Sequence, residues 1–212
     1  DLYDAGALAS FSGRDEQRKR IVAEAANRLD EFTALAKQYE GQARSFGHAM
    51  LGEAFEQQGR ESEAIEAHRE ALRAATEHLP TISVEYLNRI FLEEENYRGL
   101  IAIKELQSDY VETDADKVGL GLEVARLYRD ELAEMEQAES ALQQCLEWDE
   151  NCTEALAELA ELYFTQARFS DSVEYLDKIL ESGEQVSLED RTRFMVALRN
   201  IGQFDRALDA TQ

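Results

Sequence analysis

One proline, two cysteines and three histidines in 212 residues exclude several classes of protein at once. A many-stranded sandwich or barrel needs turn-formers, and Pro80 with 11 glycines supplies too few, while Ala, Leu, Glu and Arg favour helix. Cys145 and Cys152 are too few for a disulfide framework or a cysteine metal site. No stretch approaches 18 uninterrupted apolar residues, so no membrane-spanning helix and no direct membrane contact by this segment are expected. Basic residues number 22 against 45 acidic ones, a formal charge of −23. Such a surface repels phosphate backbones, and nucleic acid is not an expected partner.

Apolar residues nevertheless make up 44% of the chain, enough to offset ordering entropy if they share faces. Arginine outnumbers lysine 17 to 5, which with the acid excess fits a GC-rich or salt-adapted bacterial proteome. The sequence opens at Asp1, as a processed form or a fragment would. Nothing in the sequence fixes a compartment; the cytoplasm is slightly favoured, and a removed leader would allow the periplasm.

Internal similarity organises the rest. Segments with a small residue, an aromatic three positions on, a polar turn and an Ala/Leu helix recur every 35 to 37 residues. In residues 45–78, Leu51, Gly52 and Phe55 share a helical face, Gly59 breaks the helix, and Ala64, Ala71 and Leu72 line the next. Pro80 separates this copy from residues 81–114, with Leu87, Asn88 and Phe91, the turn Glu95-Asn96-Tyr97, then Leu100, Ile101 and Ile103. Residues 118–152 hold Ala125, Tyr128, Ala138, Leu142 and Cys145, with one extra residue expected in the turn. Residues 153–186 hold Leu159, Ala160, Tyr163, Ser172, Leu176 and Ile179. Residues 188–212 form a truncated copy with Phe194, Leu198, Gly202, Phe204 and Ala207.

This pattern resembles the tetratricopeptide repeat family, whose 34-residue unit has a small residue at position eight, an aromatic at eleven and Ala at twenty and twenty-seven. Gly52, Phe55, Ala64 and Ala71 match all four positions, and Ala160 and Tyr163 match the first pair. The resemblance implies an all-α α-solenoid, a superhelix of stacked antiparallel helix pairs. Residues 1–44 fit less well and are expected to form an irregular N-terminal hairpin or cap. There LYDAGALASF would make a helix ended by Gly13, and a second, long helix would run to Tyr39, with Ile21, Ala25, Leu29, Phe32, Leu35 and Ala36 on one stripe.

Catalytic chemistry finds no foothold in the pattern. His48, His68 and His78 lack zinc-ligand spacing, and Gly119 and Gly121 precede a repeat helix instead of following a strand. Acid pairs such as Asp149-Glu150 arise by chance at this composition, and Cys145 falls at a core position. Neither enzyme activity, cofactor nor metal is expected. Trp148 is expected to pack between adjacent repeats.

The resemblance further implies a groove lined by the first helix of each repeat. Carried over by position, that face includes Arg89, Arg126 and Arg129, flanked by Leu92, Leu122 and Phe164, with Arg199 and Asn200 in the last copy. Guanidinium groups bind carboxylates through paired hydrogen bonds, so one reading is a clamp for an acidic segment of a protein or peptide partner. The other is that these arginines neutralise Glu85, Glu93 and Asp130 nearby. The Lys and Asn with which some family members hold chaperone tails are absent, since Ala49, Glu53, Glu85 and Arg89 stand there. The expected function is a non-catalytic protein-interaction scaffold. Alternatives are the soluble part of a lipoprotein-like envelope assembly factor, or a regulatory or sensor domain of a longer protein. Self-association is expected through Phe194, Leu198, Phe204 and Leu208, left uncovered by the truncated copy.

Overall fold

In the computed structural model, residues 15–181 and 187–209 are described, and they form helices with no strand among them. The all-α helical-repeat expectation holds. The helix expected in LYDAGALASF lies outside the described residues. The chain divides into two compact units, Asp1–Ile103 and Lys104–Gln212.

In the first unit, α1 (Asp15–Asn27) and α2 (Leu29–Ala36) replace the single long helix expected there. The break falls at Arg28, whose backbone (φ −136°, ψ 43°) leaves the helical region while its side chain pairs with Glu24 and Glu31. With the bend, both segments pack on α3 (Gly41–Gln57), burying Ile21, Val22 and Ala25 from one and Phe32 and Ala36 from the other. Helix α3 pairs with α4 (Glu61–Ala74), and α5 (Thr81–Glu93) is followed by α6 (Tyr97–Ser108), whose last residues belong to the second unit.

The loop ahead of Pro80 is held by one side chain. Gln42 Oε1 accepts from the amides of Thr76, Glu77 and His78 at 3.0 to 3.3 Å, and its Nε2 donates to the His78 carbonyl at 2.7 Å. Backbone groups that would otherwise be orphaned past the end of α4 are thereby satisfied.

The second unit runs through α7 (Asp114–Arg126), α8 (Met135–Trp148), α9 (Thr153–Thr165), α10 (Phe169–Glu181), α11 (Leu188–Asn200) and α12 (Phe204–Asp209). Thr113 caps α7, its hydroxyl accepting from the Asp116 amide at 3.1 Å, and Ser187 does the same for α11 with Asp190 at 3.0 Å. One core joins Leu122, Ala125, Leu142 and Cys145 to Leu159 and Tyr163, and a second joins Leu156 and Leu176 to Phe194 and Leu198. Trp148 packs partly buried on the first of these, over Gly121, where a methyl group would stand 3.2 Å from the indole and 2.5 Å from Cys145 Sγ.

The turns inside the hairpins share one device. A residue with positive φ recurs at Gly59, Glu95, Ala133, Ala167 and Gly202, two places before each second helix. The next residue's N–H returns to a carbonyl five positions back in four of them: Arg60 to Phe55, Asn96 to Phe91, Arg168 to Tyr163 and Gln203 to Leu198, at 2.7 to 3.0 Å. In the remaining hairpin Glu134 reaches six positions back, to Tyr128. The extra residue expected in that turn is taken up by a π-helical turn, Leu127–Glu131, at the end of α7.

Two of the four apolar side chains expected to be uncovered in the last copy are not. Phe194 and Leu198 are buried by α9 and α10, whereas Phe204 and Leu208 are 66% and 67% exposed.

Candidate functional site

The π-helical turn has a consequence for chemistry, because it carries Arg129 and Asp130. Arg126, one helical turn before Arg129, donates from Nε to Glu158 Oε1 at 2.8 Å, and Arg129 Nη1 donates to Glu158 Oε2 at 3.0 Å. Glu158 lies on α9 and is 9% exposed, so a buried carboxylate is held by two guanidinium groups from the preceding hairpin. Arg126 also pairs with Glu154, and Arg129 donates to both oxygens of Asp130 at 2.7 and 3.0 Å. Those bonds, followed by burial working against them, set the Asp130 carboxyl below the usual carboxylate range.

A second network continues along the same face from α9 to α11. Arg193 donates to Glu161 at 2.9 Å, Glu189 at 2.8 Å and Asp190 at 2.7 Å, with only 16% of its side chain exposed. Beside it opens a notch of about 460 Å³ lined by Phe164, Leu188, Glu189, Thr192, Arg193 and Val196. Phe164 is steadied edge-on by Phe169 at 5.5 Å, while Leu188 stands 81% exposed.

The expected site residues thus do not gather in one place. Arg126 and Arg129 converge on Glu158, Phe164 lines the notch, and Arg199 and Asn200 lie exposed on α11. Arg89 belongs to the first unit, where it pairs with Glu56 at 2.9 Å and Glu93 at 3.9 Å and covers the Tyr86 ring, near the 62% exposed Leu92. Leu122 departs from expectation. It is 5% exposed inside the core and supports this face without lining it, because it points from α7 toward α8 and α9. Sequence reasoning missed Glu158, Arg193 and Leu188. The first two carry no signal apart from their many acidic neighbours, whereas Leu188, apolar at a helix start, was readable as exposed.

A larger cleft of about 840 Å³ lies between the end of α6, α7 and α8, lined by Lys104, Gly121, Tyr128, Gln144 and Trp148 among others. Lys104 there is paired with Glu123. Burial and the nearby Cys152 push the Cys145 thiol up to about 12, which keeps it protonated and unreactive. Among the described residues no three His, Cys, Asp or Glu side chains converge as a metal site would require, and no helix is long and apolar enough to cross a membrane.

Sequence profiles of the tetratricopeptide repeat match residues 48–81 and 133–187. The chain carries tetratricopeptide repeats. It matches no curated protein sequence. Among solved structures, MamA is similar at 16% identity over 75% of this chain and 89% of its own, with a TM-score of 0.50, which speaks for the fold alone. The Pseudomonas aeruginosa pilF structure (15% identity, 94% and 90% covered, TM-score 0.49) and BtubC from P. vanneervenii (15%, 92% and 89%, 0.48) are also similar. Tetratricopeptide repeats mark a protein-interaction scaffold, and the arginine networks lie on α7 with its π-helical turn, α9 and α11.

Proposed function

We propose that this tetratricopeptide repeat protein is a non-catalytic scaffold that holds a segment of a partner protein on the face formed by α7, α9 and α11. One observation carries the reading: an open apolar notch at Phe164, Leu188 and Val196 beside guanidinium and carboxylate groups already fixed by one another. Preorganised polar groups around an apolar socket lose little conformational freedom when a partner arrives.

Affinity capture from native lysate tests it, with wild type beside a Leu188→Ser/Val196→Ser variant whose fold is checked by circular dichroism. A partner lost only from the variant supports this face. Recovery of the same partners by both overturns it. Self-association is the second reading and rests on the exposed Phe204 and Leu208. A mass by light scattering that Phe204→Glu leaves unchanged ends it.

A further inference from the structure

The charge around the notch points to its occupant. Three guanidinium groups, those of Arg126, Arg129 and Arg193, are shared among six carboxylates: Glu154, Glu158, Asp130, Glu161, Glu189 and Asp190. The arginines are therefore outnumbered two to one, and the excess on this face is negative. Glu154, Glu161 and Glu189 keep 58%, 41% and 76% of their side chains in solvent, where further donors can reach them. An acidic segment would compete with Glu158 for Arg126 and Arg129, and drawing them away would leave that buried carboxylate without its partners. The net charge of −23 also steers cations toward the chain and repels anions.

We propose that the notch between α9 and α11 takes an aliphatic or aromatic side chain of a basic protein segment, whose flanking Lys or Arg residues pair with Glu154, Glu161 and Glu189. This rests on the face assignment above and names the chemistry of its partner. The apolar side chain fills the socket of Phe164, Leu188, Thr192 and Val196, and the cations choose the register. Arg193 acts as a wall of that socket, because its donors are turned to Glu161, Glu189 and Asp190.

A random peptide library displayed on phage, panned on the full chain and separately on the Leu188→Ser/Val196→Ser variant, tests this. The expected result is enrichment of peptides with net positive charge around an apolar residue, bound at least about tenfold more weakly by the variant. Their binding should also weaken as KCl is raised, and weaken in Glu154→Gln/Glu189→Gln. Enrichment of acidic or neutral peptides that depend on the notch overturns the basic partner and leaves the face assignment standing. Basic peptides bound equally by the notch variant, or no enrichment at all, overturn both.

Discussion

Gly52 on α3 and His68 on α4 meet so closely that a methyl group on Gly52 would stand 2.4 Å from His68 Nε2. The imidazole is held by its surroundings. It is fully buried, its Nδ1 is 2.9 Å from Ser83 Oγ, and Tyr86 stacks on it at 4.4 Å. In the later hairpins Ala125 and Ala160 occupy the place of Gly52, and Leu142 and Leu176 that of His68.

Gly52→Ala should therefore destabilise the chain. The gain in helix propensity, roughly 0.5–1 kcal/mol, is outweighed by overpacking of about 1–3 kcal/mol. Urea unfolding measures the difference, and a variant as stable as wild type would show that the ring can move aside.

His68 also makes stability depend on pH. Burial lowers its pKa from 6.5 to about 4, so the unfolded chain takes up a proton before the folded one does. The stabilising contribution is full above pH 6.5 and is lost as pH falls through about 4, amounting to about 3 kcal/mol. His48, shifted the same way first by burial and then by Arg44, adds to the trend. Thermal unfolding between pH 7 and 4 should show this loss, and His68→Leu should flatten it. An unaltered slope in the variant would mean that other groups govern the acid limb.

Ala167 sits at φ 58°, where a β-carbon crowds the backbone and glycine does not. Ala167→Gly should raise stability by up to about 1 kcal/mol, although the same exchange at buried, helical Ala160 should lower it. Denaturation midpoints of the two variants moving in the same direction would contradict the turn geometry.

Glu158 and Glu154 both pair with Arg126 but differ in burial. Glu158→Ala removes the acceptor of two partly buried guanidinium groups and should cost about 1–3 kcal/mol. Glu154→Ala, at a largely exposed pair, should cost under about 1 kcal/mol. Equal effects in urea unfolding would show that the Arg126, Arg129 and Glu158 network is no tighter than a surface pair.

Sequence alone determined the helical hairpins, because small and aromatic residues at fixed spacing can bury only against a neighbouring helix of the same pattern. Gly52, Phe55, Ala64 and Ala71 carried that message, as did Ala160 and Tyr163. Tertiary structure decided which charges became a site. Arg126 and Arg129 were readable as a pair on one helix, but Glu158, 29 or more residues away, closes on them only when α9 packs against the preceding hairpin. The break at Arg28 and the π-helical turn at Leu127–Glu131 were decided there too. Helical periodicity reports which face is apolar. It does not report where packing bends the helix, or which of many carboxylates an arginine meets.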